Sequence, residues 1–262
     1  MRRAVHAEWT KLRTVSSTGW LVLGAVAFTV ALSALVSAAT STEHCPSPAE
    51  CLEDTTKVSL FGVRLGQVAL VVLAVLAVTN EFGTRMIQTT FAANPRRLTV
   101  LATKAVVVAA AALAAGAVAV AASLLAGRNI LPGNGYTPAN GYQLLSLADE
   151  ATRRAAIGSV LYLGLIALLS LGVGAIVRDT AGAIGVVLAL LFIFPMFAML
   201  VTDPRWHERL EKYAPMTAGL YIQSTRGLDS LPLGPWEGLG VLAAYAGAAL
   251  LVGAVRFTLR DA

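Results

Sequence analysis

Charged residues are scarce in this 262-residue chain, in which Asp, Glu, Lys and Arg together make up 13% of the sequence. Soluble globular domains usually carry about 25% charged residues, so an ordinary water-soluble fold is excluded. Hydrophobic residues account for 56% of the chain. This composition predicts that lipid surrounds most of the protein.

Motifs for nucleotide, metal and nucleophile chemistry are missing as well. A phosphate-binding loop needs Gly-Lys followed by Ser or Thr, and none of the four lysines has those neighbours: Lys11, Lys57, Lys104 and Lys212. His207 and Glu208 begin the pattern of a zinc-protease helix, but Glu211 stands where the second histidine is required. We therefore predict that this chain has no catalytic residue, binds no metal or cofactor, and is not an enzyme by itself.

Cysteine is nearly absent, and the only two residues of this type, Cys45 and Cys51, flank a Pro-containing stretch. The stretch follows the first apolar run and is predicted to lie outside the cytoplasm, where disulfides persist. The alternative is a metal bound by His44 and both thiols, but no fourth ligand nearby completes a tetrahedral site. The pattern favours a disulfide between Cys45 and Cys51.

Six apolar stretches are each close to the roughly 20 residues that cross a bilayer as a helix. They predict spans at about 18–40, 58–80, 102–127, 155–177, 180–202 and 238–256. A cleaved signal peptide has an apolar region of about 7–15 residues, so the first stretch is too long for one, despite the small residues Val36-Ser37-Ala38. The predicted fold class is an all-α membrane protein with six transmembrane helices in a single domain.

The distribution of basic residues predicts the orientation. With the N-terminus in the cytoplasm, that side holds eleven basic and four acidic residues, and the opposite side holds nine basic and eleven acidic residues. The positive-inside rule therefore places both termini in the cytoplasm. Because the basic residues form no continuous face, we expect membrane lipid as their partner and no nucleic acid.

The N-terminal residues 3–15 are predicted to form an amphipathic helix on the inner membrane surface. Val5, Trp9 and Leu12 share one helical face, and the charged residues Arg3, Glu8, Lys11 and Arg13 lie elsewhere around the helix. A plain charged start to the first span is the alternative. On the opposite side of the membrane, residues 203–237 are polar and rich in proline, which predicts an extracytoplasmic loop that contains short helices.

The cytoplasmic connection after the second span carries apolar side chains at helical spacing. Phe82 and Met86 are four residues apart, as are Ile87 and Phe91. This spacing fits a short helix at residues 83–93 that transmits motion from a soluble partner, and it fits an ordinary interfacial loop equally well. Glu81 is placed to pair with Arg85 or with Arg178, which lies in the two-residue turn between the fourth and fifth spans.

Arg64 is the one charge that the predicted boundaries place well inside a span, about six residues from its outer end. Snorkelling to the interface explains it, and a pair with Glu53 or Asp54, or contact with an anionic substrate, is the functional alternative. Glycines near the turn between the fourth and fifth spans are typical of close helix packing: Gly172, Gly174, Gly182 and Gly185.

Several of these segments together resemble one family. They are Ala7-Glu8-Trp9-Thr10-Lys11-Leu12-Arg13, Glu81-Phe82-Gly83-Thr84 through Pro95-Arg96-Arg97 with Lys104, the residues from Gly174 to Ala183, and Arg256-Phe257-Thr258-Leu259-Arg260-Asp261-Ala262. In their order and spacing along six spans they resemble the bacterial type-2 ATP-binding-cassette (ABC) exporter permeases. The resemblance covers essentially the whole chain, although the loop between the third and fourth spans is longer than is usual in the family.

The resemblance implies a connecting helix at residues 3–15 and a coupling helix near residues 83–93 that docks on a separate ABC ATPase subunit. ATP and Mg²⁺ would be bound by that ATPase, and a second copy of the chain or a paralogue would complete the membrane unit. The residues assigned to coupling are Glu81, Phe82, Gly83, Thr84, Arg85, Met86, Ile87, Phe91, Pro95 and Arg96.

The expected function is that of a permease subunit in the bacterial plasma membrane, which exports a drug, an antibiotic or a lipid-like compound. A non-transporting polytopic membrane protein, such as a sensor, an immunity factor or an intramembrane enzyme, is the alternative.

Overall fold

The computed structural model describes residues 9–10, 16–42, 53–83, 97–201 and 203–259, and these residues contain no β-strand. The α-helices of the bundle, in chain order, are α1 (Ser16–Ala39), α2 (Thr55–Ser59), α3 (Val63–Gly83), α4 (Arg97–Ile130), α5 (Glu150–Val177), α6 (Thr180–Leu188), α7 (Phe194–Leu200), α8 (Pro204–Tyr213), α9 (Pro215–Leu220) and α10 (Pro235–Leu259).

Six helical stretches in the described part of the chain are long and apolar enough to span a membrane. They are Gly19–Ala39, Val63–Gly83, Arg97–Asn134, Glu150–Val177, Thr180–Phe197 and Pro235–Thr258. In lipid, a single segment can satisfy all its backbone N–H and C=O groups only as a helix. The prediction of an all-α membrane protein with six transmembrane helices is therefore confirmed.

Side-chain hydrogen bonds between distant segments show which residues lie at each end of the bundle. At the first, Asn134 donates to the Ser37 carbonyl at 2.9 Å, and Tyr136 donates to Glu53 at 2.6 Å. At the second, the Thr180 hydroxyl donates to the Thr79 hydroxyl at 2.8 Å. We call the first the outer end and the second the inner end, after the predicted orientation.

The fourth span, α5, is the centre of the bundle. Of its most apolar window, 67% is buried, against 22% for the first and fifth spans and 28% for the sixth. It packs against the second, third and sixth spans, α3, α4 and α10. The more exposed spans present large apolar side chains outward, as lipid contact requires.

The second span begins later than the predicted boundary near residue 58. The helix α2 ends at Ser59, a turn follows, and α3 starts at Val63. The turn is drawn against the first span, because the Gly62 amide donates to Ser33 Oγ at 3.1 Å and a Cβ at Gly62 would overlap the Thr29 carbonyl oxygen. The spacing of apolar residues in the sequence could not predict this turn, because the residues on both sides of it are helical.

The fifth span is not a regular helix. A π-helical turn at Ala189–Ile193 joins α6 to α7. Pro195 lies two residues beyond this turn, and a proline lacks the N–H that an α-helix would pair with the carbonyl four residues earlier. A wider π turn beside such a position lets the helix continue past the lost hydrogen bond.

Part of the predicted outer loop is buried in the bundle. Residues 214–224, which comprise α9 and the 3-10 turn Tyr221–Gln223, pack against α10 and α5. Nearly every side chain in this inserted segment is buried. The rest of residues 203–237 fits the predicted loop better, since α8 is an exposed polar helix that Asp203 caps through the Arg205 amide at 2.9 Å.

Buried polar contacts hold the inserted segment in place. Gln67 of α3 donates to the Met216 sulfur at 3.2 Å and accepts from the Tyr162 hydroxyl at 2.6 Å. Gln223 donates to Ser159 Oγ at 3.0 Å. A buried polar group is costly without such partners, so these pairs specify one position for the segment between the second and fourth spans.

Gly158 of α5 lies where Ile222 of the inserted segment comes closest, and a Cβ there would overlap Ile222 Cγ1. We expect Gly158→Ala to lower the free energy of unfolding by about 1–3 kcal/mol through overpacking. Gly24→Ala is the matched control, because the space around Gly24 is open and alanine favours a helix. Thermal unfolding in detergent measures both, and equal stability of the two variants would contradict the insertion.

Candidate coupling site at the inner end

The described part of the chain includes only three of the residues assigned to coupling. Glu81, Phe82 and Gly83 form the last turn of α3. The others lie outside the described residues and remain predictions: Thr84, Arg85, Met86, Ile87, Phe91, Pro95 and Arg96. Cys45, Cys51 and nearly all of the predicted connecting helix also lie outside the described residues. The exceptions in that helix are Trp9 and Thr10, which are helical and exposed.

Glu81 forms a buried ion pair with Lys104 of α4. Lys104 Nζ lies 2.7 Å from Glu81 Oε1, and the two side chains are 2% and 9% exposed. The ammonium also donates to the Ala77 carbonyl at 3.2 Å. The pair therefore ties the end of the second span to the third span, inside the bundle.

Sequence analysis did not name this partner for Glu81, for which it gave Arg85 or Arg178. The boundary at residue 102 treated Lys104 as a charge near the start of the third span, whereas α4 begins at Arg97 and contains Lys104 in its second turn. A charge inside an apolar helix needs a counterion. That requirement is the signal that could have found the pair.

Phe82, next to the ion pair, connects α3 to two other elements. Its ring lies edge-to-face on Phe257 of α10, with the centroids 5.8 Å apart and the planes at 83°. The guanidinium of Arg178 lies over the same ring, 5.0 Å from its centroid. Such aromatic and cation–π contacts contribute about 0.5–2 kcal/mol each.

Arginine side chains make further hydrogen bonds between the helices at this end. Arg178 donates to the Arg256 carbonyl at 2.9 Å, and Arg256 donates in return to the Ile176 carbonyl at 3.0 Å. These bonds satisfy carbonyls at helix C-termini, which have no partner within their own helix. Arg97, at the start of α4, reaches the Phe257 carbonyl at 3.5 Å.

The backbone of the turn between the fourth and fifth spans fixes the position of Arg178. This residue adopts φ 63°, the left-handed conformation that commonly ends a helix, and its amide donates to the Gly174 carbonyl at 2.9 Å. Asp179 then caps α6 by accepting from the Gly182 amide at 2.7 Å. Two residues thus reverse the chain and hold the guanidinium above Phe82.

The inner end is therefore a rigid rim that holds both ends of the connection at residues 84–96. Gly83 is held through the Glu81 pair and Phe82, and Arg97 is held through α10. The described residues contain no group of three or more His, Cys, Asp or Glu side chains that could hold a metal ion. The contacts of the rim are suited to transmitting force between helices.

Arg64 lies at the opposite end, in a different setting from the one predicted. Because α3 begins at Val63, Arg64 is in its first turn and not six residues inside the span. Its guanidinium forms no ion pair with Glu53, Asp54 or any other described carboxylate. The position fits the snorkelling interpretation, and the side chain lines a cavity shared with Lys57 and Phe61.

Comparison with known proteins does not assign the chain to a class. No family model matches the sequence, and no curated protein matches it significantly. The class that the fold itself defines is a polytopic α-helical membrane protein with six spans.

Two Lys–Glu pairs with the same 2.7 Å separation differ in burial and give a matched test. Lys104→Ala removes the ammonium beside the buried Glu81, which we expect to cost about 3–5 kcal/mol of stability. Lys212→Ala breaks the exposed pair with Glu208 and should leave stability unchanged within error. Detergent-solubilised protein unfolded by SDS titration measures both variants. A Lys104→Ala variant as stable as the wild type would refute the role given to the buried pair.

Proposed function

We propose that this chain is the permease subunit of a bacterial ATP-driven ABC exporter of the type-2 class. The observation that carries the proposal is the rim at the inner end, where buried and aromatic contacts hold both ends of the connection at residues 84–96. The resemblance of the chain's segments to that class supports it, as does the presence of six spans.

In this proposal the apolar residues of the connection dock on the ATPase. Met86 and Ile87 belong to a basic stretch too short to bury them by itself, so a partner groove would cover them. ATP binding and hydrolysis, with Mg²⁺, take place on the ATPase subunit, and a second copy of the chain or a paralogue completes the path. The substrate is a drug, an antibiotic or a lipid-like compound.

Docking requires the inner end to face the cytoplasm of the bacterium. The excess of basic residues on that side supports this orientation in the plasma membrane. Six spans return the chain to the side on which it starts, so both termini are cytoplasmic in the proposal.

The docking proposal is tested with charge substitutions on opposite faces of the connection. Met86→Asp and Ile87→Asp each place a charge on the apolar face, where burial without a partner typically costs several kcal/mol. We expect these variants to insert in the membrane but to lose co-purification of the proposed ABC ATPase subunit and the ATP hydrolysis that depends on the complex. Gln88→Asp adds the same charge on the opposite helical face and should retain both.

Normal ATPase association by Met86→Asp and Ile87→Asp would refute the coupling assignment. Failure of any ATPase to co-purify with the wild-type chain would favour the alternative, a non-transporting membrane protein.

The orientation is tested separately by cysteine labelling in a Cys45→Ser/Cys51→Ser background. Asn140→Cys replaces an exposed residue of a turn at the outer end, and Thr258→Cys replaces an exposed residue in the last turn of α10 at the inner end. A membrane-impermeant maleimide should label the first in intact cells and the second only after permeabilisation. The reverse pattern would overturn the orientation.

A further inference from the structure

Two adjoining cavities open at the outer end. The larger has a volume of about 430 Å³ and lies between α2 and the chain that follows the inserted segment, with Arg226 and Leu231 in its wall. The smaller, of about 100 Å³, lies between the start of α3 and the inserted segment, with Arg64 and Tyr221 in its wall. Lys57 and Phe61 line both cavities. We call the combined space the outer groove.

Three cationic side chains surround the outer groove: Lys57, Arg64 and Arg226. None of them forms an ion pair with a carboxylate in the described part of the chain. Arg226 lies over the Tyr142 ring, with its guanidinium carbon 5.7 Å from the centroid. Three basic groups around one concavity without an acidic partner form an attractive site for an anion.

The two carboxylates of the groove wall, Glu53 and Asp54, accept hydrogen bonds from the protein itself, and with them the wall carries three positive groups against two negative ones. Asp54 accepts from the Thr56 and Lys57 amides at 3.1 Å each, and its other contacts are the Thr225 hydroxyl and the amides of residues 225 and 226. Glu53 accepts from the Tyr136 hydroxyl. Burial, reinforced by Glu53, raises the pKa of Tyr136, so this phenol stays protonated and continues to donate.

Two buried hydroxyls among the lining residues have no hydrogen-bond partner within the described structure, Tyr221 Oη and Ser224 Oγ. Tyr221 is 8% exposed and Ser224 is 2% exposed. Burial, with a smaller contribution from Glu211, raises the pKa of Tyr221 to about 12, so its hydroxyl is a donor at neutral pH. Almost none of the surface of either oxygen is accessible, so a ligand in the groove could accept from these hydroxyls only after their side chains rotate.

The remainder of the wall is apolar. Phe61, which separates the two cavities, is 37% exposed, and Leu220 and Leu231 line the sides. The groove also lies beside the first turn of a membrane span, where headgroups meet acyl chains. A ligand that fits it therefore carries an anionic group next to an apolar portion.

We propose that the outer groove binds the phosphate or carboxylate headgroup of an anionic amphiphile, with Lys57, Arg64 and Arg226 on the headgroup and Phe61 against the apolar portion. The site is separate from the coupling rim and does not require the ATPase. A bilayer lipid and a soluble anionic amphiphile share this chemistry, and the groove would accept either.

The test uses the full chain in detergent and measures the dissociation constant of dioctanoyl phosphatidylglycerol by microscale thermophoresis. Dioctanoyl phosphatidylcholine has the same chains with a zwitterionic headgroup and should bind at least tenfold more weakly. Arg64→Gln and Arg226→Gln should each weaken phosphatidylglycerol binding by roughly tenfold or more, as the loss of a charge-assisted hydrogen bond does. Arg153→Gln is the matched control, an exposed arginine at the same end outside the groove, and should bind like the wild type.

Further measurements distinguish the possible ligands and show whether the groove can be tested when a variant fails to fold. Phe61→Ser should weaken phosphatidylglycerol but not inorganic phosphate, and inorganic phosphate that binds as tightly as phosphatidylglycerol would overturn the amphiphile assignment. Lys57→Gln changes an exposed side chain and tests the groove even if the arginine variants unfold. In nanodiscs that contain phosphatidylglycerol, weaker binding of the soluble dioctanoyl lipid would show that the bilayer lipid occupies the groove. Equal binding of both headgroups, or an Arg153→Gln effect as large as that of Arg64→Gln, would overturn the proposal.

Discussion

Close approach of other elements to the fourth span is the constraint on which the bundle depends. Four glycines of α5 each leave room for a different neighbour: Gly158 for Ile222, Gly164 for Leu113, Gly172 for the backbone of α10, and Gly174 for Val78. A Cβ at Gly172 would come within 2.7 Å of the Ala249 carbonyl carbon. Because the lipid supplies no hydrophobic force between helices, van der Waals contact at such positions contributes most to their association. The central burial of α5 follows from these contacts.

The two ends of the bundle use charge in opposite ways. At the inner end, Lys104 and Glu81 are paired and withdrawn from solvent, so each offsets part of the desolvation penalty of the other, and separating them would leave a buried charge without its counterion. At the outer end, Asp54 accepts from the protein's own amides and the Thr225 hydroxyl and Glu53 accepts from Tyr136, while the cations of the outer groove form no ion pair with a described carboxylate. Arg154 differs from those cations, because it already donates to the Ser224 carbonyl at 2.6 Å. The inner end is thus suited to rigidity and the outer end to binding.

Sequence analysis predicted the number and type of spans because hydrophobic length is a direct requirement of the bilayer. It could not predict the burial of residues 214–224, since prolines and polar residues such as Gln223 look like loop composition until the partner of Gln223, Ser159, is known. It misplaced Arg64 because the turn before Val63 depends on a contact between Gly62 and the first span. Of the glycines singled out, Gly172 and Gly174 pack closely, whereas a Cβ at Gly185 would meet open space. In each case the missing information is a contact between residues distant in sequence.

The second span connects the two regions to which function is assigned. Glu81 and Phe82 lie in the last turn of α3, while Arg64 and Gln67 lie in its first two turns. The helix has no proline and no π turn between these positions, and its 21 residues extend about 30 Å at 1.5 Å per residue. A straight α-helix moves as a unit, so a tilt imposed at Glu81 would displace Arg64 and, through Gln67, the Met216 contact of the inserted segment. The fifth span is poorly suited to the same role, because the π turn at Ala189–Ile193 interrupts its regular hydrogen bonding. If the inner end docks on an ATPase, α3 is therefore the element through which the outer groove would sense it.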